Sequence, residues 1–251
     1  MQFIPFKGRK LAYRKLEGMG PTVVFFPGFM SDMEGSKALA LEDFCRQRGQ
    51  AYVRFDYSGH GQSSGEFTDG TIGAWAEDGL AIIDQVILKN SGGDLVLVGS
   101  SMGGWIGLLC ALKRKDRVKA FVGLAAAPDF TKESCWDSYS DEIRATLERD
   151  GVYYEACDYG DDPYPMTLKL LKEGNDHLLL DKAIDLDCPV RLIQGMRDPD
   201  VPPVTAQRLC DKLNSDDVVI TYVKNGDHRL STDADLKRLC QIVKEVSGPL
   251  C

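Results

Sequence analysis

The sequence predicts an α/β protein with a mostly parallel central sheet flanked by helices. Strand-like and helix-like segments alternate along the chain, which is the pattern of repeated β–α units. Several of the strand-like segments, such as DLVLVGSS at 94–101, are short continuous apolar runs, as is typical of parallel strands buried on both faces. A length of 251 residues fits one domain of this class. We therefore expect a single domain over residues 1–251.

The first half of the chain predicts an antiparallel start followed by alternating elements. Two short strands flank a Lys7-Gly8-Arg9 turn, which indicates an antiparallel pair. Glycine or proline then closes most segments, which helps to place their ends. The order is a strand in PTVVFFPGF (21–29), a helix in KALALEDFCRQRG (37–49), a strand in AYVRFDYSG (51–59), a helix in TIGAWAEDGLAIIDQVILKN (71–90) and the strand in DLVLVGSS.

The second half predicts the same alternation with one interruption. Helical spacing and apolar runs predict a helix in MGGWIGLLCALKRK (102–115), strands in VKAFVGLAAAP (118–128) and PVRLIQGMRD (189–198), a helix in VTAQRLCDKLN (204–214), a strand in VVITYVKNGDH (218–228) and a last helix in DADLKRLCQIVKEV (233–246).

The interruption spans residues 129–187, where acidic side chains outnumber basic ones by more than two to one. This segment contains the helix-like pieces DEIRATLERDG and MTLKLLKEGNDHLLLDKA but no strand pattern. Because it lies between two sheet strands, we expect a helical cap insertion over the carboxyl ends of the strands, where open α/β sheets bind their ligands. Its aromatic residues are expected to pack the cap onto the sheet, with a pocket-lining role as the alternative: Trp136, Tyr139, Tyr153, Tyr154 and Tyr159.

The composition argues against several classes of protein. With a formal net charge of −8 and no long basic run, a nucleic-acid-binding face is not expected. No apolar run approaches the roughly 18–20 residues of a membrane span. The opening MQFIPFKGRK resembles neither a secretory signal nor an Arg- and Ser-rich presequence, which predicts a cytoplasmic location.

The eight cysteines predict free thiols rather than a disulfide framework. They include no CxxC pair, and most lie beside apolar residues, where a buried cysteine acts as a small hydrophobe. The three histidines are too far along the chain from any cysteine to suggest a zinc site, so neither a metal nor a cofactor is expected. The cysteines are Cys45, Cys110, Cys135, Cys157, Cys188, Cys210, Cys240 and Cys251.

The glycine-rich stretch DYSGHGQSSG at 56–65 does not predict a nucleotide site. It lacks the GKS or GKT ending of a phosphate-binding loop, and its glycines do not form G-x-G-x-x-G at the start of a helix. We interpret it as a structural turn.

The stretch GSSMG at 99–103 predicts a nucleophilic serine. It follows a buried strand and opens a helix, and a sharp strand-to-helix turn of this kind exposes a serine hydroxyl to a histidine base. The turn crowds the backbone, so the residues two before and two after the nucleophile must be small. Ser101 has glycines at both places, whereas Ser100 would have Val98 and Met102. Ser101 is the predicted nucleophile, with a glycine-rich turn without chemistry as the alternative.

One histidine follows the last predicted strand, where a general base would be needed. His228 lies there in a polar turn and comes after the nucleophile in the chain. His60 precedes Ser101 and His177 lies in the insertion, so both are weaker candidates. His228 is the predicted base, and a loop histidine satisfied by local hydrogen bonds is the alternative.

The acid is expected at the end of the preceding strand. Asp198 comes directly off that strand, and Asp200 lies two residues later in a proline-framed turn. Asp227 is adjacent to His228 and cannot easily fold back onto its ring. We favour Asp198 over Asp200 as the group that orients the imidazole and stabilises its charged form.

Two backbone N–H groups are predicted to bind the oxygen of a tetrahedral intermediate. Such donors come typically from the residue after the nucleophile and from an early loop, here Met102 and Phe29. Gly28 would let the chain turn so that the N–H of Phe29 faces the nucleophile. A simple Pro27-Gly28 turn is the alternative.

Six segments carry a resemblance to a known family: LAYRKLEG, PGFMSDMEGSKALALEDFC, RFDYSGHGQSSG, VGSSMGGW, CPVRLIQGMRDPDVP and DHRLS. Through them the chain resembles the α/β-hydrolases, and more narrowly the palmitoyl-protein thioesterase and acyl-glucuronide esterase group around alpha/beta-hydrolase domain-containing protein 10. The resemblance implies the α/β-hydrolase fold, a Ser101–Asp198–His228 triad and hydrolysis of esters or thioesters. Residues 129–165 depart from the cap of that group, so the acyl group and leaving group are not implied.

These residues together predict a cofactor-independent serine hydrolase that cleaves a small-molecule acyl ester or thioester, or an S-acylated protein. A C–C bond hydrolase with the same triad is one alternative. The other is a ligand-binding, receptor-like protein on the same scaffold, because a fold does not fix a function. A dehalogenase or epoxide hydrolase is disfavoured, because those enzymes carry a carboxylate where this chain has Ser101.

Overall fold

The structure is a computed structural model that describes residues 1–89, 93–156 and 163–250. The eight strands of its main sheet are Gln2–Phe6 (β1), Arg9–Leu16 (β2), Met19–Phe26 (β3), Gln50–Phe55 (β4), Leu95–Ser100 (β5), Val118–Leu124 (β6), Val190–Gly195 (β9) and Val218–Val223 (β10). They lie in the order β1-β2-β4-β3-β5-β6-β9-β10 across the sheet.

Strand pairing agrees with the predicted sheet. Strand β1 is antiparallel to β2, as the Lys7-Gly8-Arg9 turn predicted, and β2 is also antiparallel to β4. All other neighbours in the sheet run parallel. The predicted α/β class with a mostly parallel sheet is therefore confirmed.

Helices occupy the intervals between the strands. Gly49 ends the first helix in a left-handed conformation, with φ at 68°, which is a common way for glycine to close a helix. The helices are Ser36–Arg48 (α1), Ile72–Ile82 (α2), Met102–Lys113 (α3), Asp141–Asp150 (α4), Leu168–Gly174 (α5), Val204–Lys212 (α6) and Asp233–Ser247 (α7). Helix α2 continues as a π-helical stretch over Ile83–Leu88.

The core lies on both faces of the sheet because successive side chains of a strand point to opposite sides. On β3, Val24 and Phe26 belong to the buried cluster that contains Trp75 of α2 and Trp105 of α3. Val23 and Phe25 belong to the other cluster, with Leu41 of α1 and Leu239 of α7. The sheet is thus the middle of three layers.

The segment between β6 and β9 differs from the predicted helical insertion. It contains a second sheet, in which Val152–Glu155 (β7) pairs antiparallel with Tyr164–Thr167 (β8). The prediction of no strand here was wrong, because two four-residue strands are too short to show a period. Helix α5 also ends at Gly174, well before the end of the predicted helical piece.

Asp129 ties the two ends of this segment together. Its side chain is buried, and its carboxylate accepts the N–H groups of Leu179 and Leu180, each at 2.8 Å. The division of the chain into one domain with a cap at 129–187 stays a prediction.

The described cysteines are free, as predicted: Cys45, Cys110, Cys135, Cys188, Cys210 and Cys240. Cys157 and Cys251 lie outside the described residues, as does Tyr159. Within the described ranges, no helix is both long and apolar enough to cross a membrane.

Candidate active site

The residues predicted to carry chemistry follow the carboxyl ends of parallel strands. Phe29 follows β3, Ser101 follows β5, Asp198 follows β9 and His228 follows β10. Since these strands run parallel, their carboxyl ends meet at one edge of the sheet, where open α/β sheets bind ligands.

Ser101 lies on a strained turn between β5 and α3. Its φ of 54° and ψ of −124° are unusual for a residue with a side chain, and its N–H donates to the carbonyl of Leu124 at 2.9 Å. A Cβ on Gly99 would lie 2.3 Å from the carbonyl oxygen of Gly103, and one on Gly103 would lie 2.1 Å from that of Phe26. The residues two before and two after Ser101 must therefore be glycine. This is the same spacing rule that selected Ser101 over Ser100.

Ser101, His228 and Asp198 form a continuous hydrogen-bonded chain. The Nε2 atom of His228 lies 3.0 Å from the Oγ atom of Ser101. Its Nδ1 atom lies 3.1 Å and 3.0 Å from the two carboxylate oxygens of Asp198. The structure thus brings together the three residues that were selected as nucleophile, base and acid.

Asp198 is held by donors that the sequence interpretation did not single out. The Oδ1 atom accepts the N–H groups of Asp200 and Val201 at 2.9 and 2.8 Å, and Gln194 donates to the Oδ2 atom at 3.1 Å. The Asp198 side chain is fully buried. Gln194 is itself buried at the end of β9, and a glutamine at the end of an apolar strand is the signal that could have identified it.

The other two histidines lie elsewhere. His60 is buried against Tyr57, Phe67 and Trp75, and this burial lowers the pKa of His60 to about 4. His177 pairs with Glu173 at 2.9 Å. Neither histidine lines the cavity that contains Ser101.

Asp227 is engaged in its own turn. Its carboxylate accepts the N–H of Leu230 at 2.9 Å. Asp200 contributes its N–H to Asp198, and its carboxylate, the Asp198 carboxylate and the His228 ring lie within 4.8 Å of one another. These three groups could hold a cation, but both Asp198 oxygens already accept N–H donors and face the His228 ring.

The residues predicted to bind the oxyanion, Phe29 and Met102, line the same cavity as Ser101 and His228. The loop before Phe29 passes close to the nucleophile, since a Cβ on Gly28 would lie 3.5 Å from the Cβ of Ser101. Met102 is the first residue of α3, where backbone N–H groups have no partner within the helix.

The cavity has a volume of about 630 Å³, and its lining includes two chemically different groups of residues, called here the apolar side and the polar side. The apolar side comprises Phe29, Ala127, Phe130, Cys135, Tyr164 and Met166. The polar residues Ser134 and Glu155 also line the cavity, next to Cys135 in the chain and opposite Tyr164 in the small sheet. The polar side is formed by Ser31, Asp32, Ser36, Lys37, Arg229 and Ser231. Burial raises the pKa of the Cys135 thiol to about 12, which argues against a second nucleophile there.

Lys37 on the polar side holds the chain that follows the histidine. Its ammonium donates to the carbonyl of Arg229 at 2.5 Å and to the hydroxyl of Ser231 at 3.3 Å. Burial and the charge of Arg229 lower the pKa of Lys37 to about 8. Sequence patterns gave no signal for this contact, because the two segments are far apart in the chain.

The aromatic residues predicted to pack the insertion do not line this cavity, as far as they are described. Tyr139 packs edge-to-face on Tyr153, with ring centroids 5.9 Å apart. Trp136 lies under the guanidinium of Arg144, and Tyr154 is exposed. Phe130 and Tyr164, which the sequence interpretation did not name, line the cavity instead.

Comparison with known proteins agrees with this architecture. The family model described as serine aminopeptidase, S33, matches residues 19–148. Human mitochondrial palmitoyl-protein thioesterase ABHD10 is 38% identical over 241 residues, which cover 96% of this chain and 77% of the relative.

Solved structures show the same similarity. A protein from Agrobacterium vitis S4 matches with a TM-score of 0.93 at 37% identity, over 98% of this chain and 97% of that one. Alpha/beta hydrolase domain-containing protein 10 from mouse matches with a TM-score of 0.88 at 36% identity, over 98% and 97% of the two chains. The predicted resemblance to that group is confirmed. The chain therefore belongs to the α/β-hydrolase family.

Proposed function

We propose that this protein is a serine hydrolase that cleaves carboxylic esters or thioesters through an acyl-enzyme on Ser101. The observation that carries the proposal is the hydrogen-bonded chain from the Ser101 hydroxyl through both nitrogens of His228 to the Asp198 carboxylate. A serine hydroxyl is a weak nucleophile until a base within hydrogen-bond reach accepts its proton.

The proposed reaction has two halves. In the first, the Oγ atom of Ser101 attacks the acyl carbonyl while Nε2 of His228 takes its proton. The carbonyl oxygen becomes an oxyanion that accepts the N–H groups of Phe29 and Met102, and the imidazolium then protonates the leaving alcohol or thiol. In the second half, Nε2 of His228 takes a proton from water, which attacks the acyl carbonyl. The imidazolium then returns this proton to Oγ of Ser101 as the bond between Ser101 and the acyl group breaks and the carboxylic acid is released.

Asp198 orients the imidazole in this scheme. Because Gln194 and the Asp200 and Val201 N–H groups fix both carboxylate oxygens, the carboxylate can hold the Nδ1–H of His228 in one direction. Its negative charge stabilises the imidazolium that forms when Ser101 gives up its proton.

The two sides of the cavity suggest where each part of the substrate binds. The leaving group must approach His228 to receive its proton, and the polar residues Arg229 and Ser231 follow this histidine directly. The acyl group would then occupy the apolar side beside Phe29, Phe130 and Met166.

The substrate classes that fit are a small-molecule acyl ester or thioester, or an S-acylated protein. The name of the human relative, palmitoyl-protein thioesterase, supports the thioester class for this chain. We further propose that residues 129–187 act as a cap, since Phe130, Tyr164 and Met166 of this segment line the cavity. The cytoplasmic location stays a prediction that cell fractionation would test; the curated relatives carry mitochondrial names.

The experiment uses a fluorophosphonate probe on wild-type, Ser101→Ala and Ser100→Ala proteins. We expect labelling of the wild-type and Ser100→Ala proteins but not of Ser101→Ala, because the Ser101 hydroxyl is hydrogen-bonded to the base. Turnover of matched short- and long-chain esters and thioesters on the same samples should fall by several powers of ten in Ser101→Ala.

Two outcomes would contradict the proposal. Unchanged turnover in Ser101→Ala, with contaminating esterase excluded, would remove Ser101 from the chemistry. A folded wild-type protein that neither reacts with the probe nor turns over any ester or thioester would favour the receptor-like alternative.

A further inference from the structure

The ring of Phe29 lies where the main body meets the inserted segment. On one side it packs edge-to-face on Phe67 and Trp75, with centroids 4.9 and 6.1 Å away. On the other side it packs in the same way on Phe130 and Tyr164 of the insertion, at 6.0 and 5.6 Å. The backbone N–H of this same residue is the proposed early-loop oxyanion donor.

The backbone around Phe29 belongs to neither a helix nor a strand. Strand β3 ends at Phe26 and α1 begins at Ser36. Between them the chain turns at Gly28, whose carbonyl accepts the N–H of Ser31 at 3.2 Å. The Tyr57 hydroxyl donates to the carbonyl of Pro27 at 3.3 Å, and the packing of the Phe29 ring is a further constraint on the position of the Phe29 N–H.

Phe130 also contacts the element that carries the second proposed donor. Its ring packs edge-to-face on Trp105, with centroids 5.8 Å apart and an interplanar angle of 84°. Trp105 lies one turn into α3, the helix that begins at Met102. The indole N–H of Trp105 donates to the carbonyl of His177 at 3.1 Å, which adds a second link between α3 and the inserted segment.

The position of Phe130 is itself fixed. It follows Asp129, whose buried carboxylate accepts the N–H groups of Leu179 and Leu180 at the returning end of the insertion. One ring, anchored at the base of the inserted segment, therefore touches the two elements that carry the proposed oxyanion donors.

We propose that Phe130 is a positioning residue through which the inserted segment sets the positions of the Phe29 and Met102 N–H groups. The proposal rests on the proposed function, since it concerns donors that act on an oxyanion. Such donors stabilise the transition state only when they are held in place, and displacing a positioning group by about 1 Å can cost on the order of 100-fold in rate. The inserted segment would then contribute to the rate itself as well as to the shape of the acyl site.

The test separates this role from simple lining of the acyl site. Wild-type, Phe130→Leu, Phe130→Tyr and Tyr153→Leu proteins are compared with p-nitrophenyl acetate, whose acyl group is too small to fill the apolar side, and with p-nitrophenyl decanoate. The Ki of a short alkyl trifluoromethyl ketone, which adds to the serine and mimics the oxyanion, is measured in parallel. Tyr153→Leu is the matched control, because Tyr153 packs on Tyr139 within the insertion.

We expect Phe130→Leu to lower kcat for the acetate ester about 10- to 100-fold with KM within threefold of wild type, because the donors act in the transition state. The ketone should bind more weakly by a similar factor. Phe130→Tyr, which keeps the ring, should restore most of the kcat for the acetate ester that Phe130→Leu loses. Tyr153→Leu should stay within about threefold of wild type.

An unchanged kcat for the acetate ester in Phe130→Leu, with losses confined to the decanoate ester, would overturn the proposal and leave Ser101 chemistry intact. An equal fall in the Tyr153→Leu control would also overturn it, because any disturbance of the insertion would then suffice. If Phe130→Leu does not fold by circular dichroism, Phe130→Met, of similar volume and without a ring, takes its place. Turnover that survives Ser101→Ala would instead refute the proposed function, so the two failures are distinguishable.

Discussion

Ser101 occupies a backbone conformation that costs on the order of 1–3 kcal/mol for a residue with a side chain. Surrounding contacts maintain it, since its N–H donates to Leu124 and its carbonyl accepts the N–H groups of Gly104 and Ala127. The strain turns the hydroxyl toward His228, and Ser100 has no such partner among the described hydrogen bonds. The strained backbone of Ser101 therefore determines which of the two neighbouring serines faces the histidine.

The choice between two neighbouring aspartates leads to a prediction about Asp198. In Asp198→Asn, the amide oxygen would take the place of Oδ1 and accept the N–H groups of Asp200 and Val201. The amide NH₂ would then take the place of Oδ2, where it faces two donors, the side-chain amide of Gln194 and Nδ1–H of His228. We expect kcat to fall by on the order of 10³- to 10⁴-fold, because the imidazole is driven to the wrong tautomer.

Steady-state kinetics with an activated ester measures this loss. Asp200→Asn is the matched control, because Asp200 supports Asp198 through its backbone N–H, which the substitution keeps. A larger fall of kcat in Asp200→Asn than in Asp198→Asn would contradict this assignment and indicate that Asp200 is the acid.

Several of these residues could be predicted from the sequence because each is marked by its place beside a strand end. Ser101, Asp198 and His228 follow apolar runs and come in a fixed chain order. Lys37 could not be predicted in the same way, because it acts through a contact with Arg229 that only folding brings about. Gln194 lies only four residues before Asp198, and its place at the end of an apolar strand was a local signal that was overlooked.

At the scale of elements, the site depends on how closely α3 approaches the sheet. A Cβ on Gly103 would lie 2.1 Å and 2.4 Å from the carbonyl oxygens of Phe26 and Pro27. One turn further along the helix the approach is looser, since a Cβ on Gly107 would lie 3.1 Å from the Phe121 ring. A rigid backbone cannot move aside as a side chain can.

We therefore expect Gly103→Ala to lower the free energy of unfolding by about 3 kcal/mol or more, and Gly107→Ala by about 1 kcal/mol or less. Urea unfolding followed by circular dichroism measures both. Similar decreases in the free energy of unfolding of the two variants would show that the close approach of backbone at Gly103 contributes little to stability.

The elements were predictable in proportion to their length and regularity. Strands of the main sheet and most helices were recognised because each carries several buried side chains at a regular period. Strands β7 and β8, each of four residues, have too few side chains to show one, and their pairing depends on contacts within the insertion. The edge-to-face cluster around Phe29 was missed because its members come from four separate segments.

At the scale of the whole molecule, one face of the three-layer structure contains a buried histidine that affects stability. Burial lowers the pKa of His60 to about 4 from an ordinary value near 6.5, and its ring packs among Tyr57, Phe67 and Trp75. Between these two pH values the unfolded chain binds a proton at this position and the folded protein does not. Stability therefore falls as the pH decreases from 6.5 to 4.

We expect this histidine to lower the free energy of unfolding by up to about 3 kcal/mol across that window. His60→Phe, which keeps an aromatic ring but cannot bind a proton, should lose less stability than wild type between these pH values. Urea titrations at several pH values measure the difference. Parallel pH dependence in the two proteins would mean that His60 titrates similarly in the folded and unfolded chains.

The arrangement of the sheet, the strained serine and the cavity supports a reaction in which the acyl group is bonded covalently to Ser101 before water releases it. Rapid acid quenching of wild-type protein during turnover of an activated ester, followed by peptide mass spectrometry, tests it most directly. We expect a mass increase equal to the acyl group on Ser101 in the wild-type protein, and none in Ser101→Ala. Turnover with the acyl group found on another residue, or on none, would contradict it.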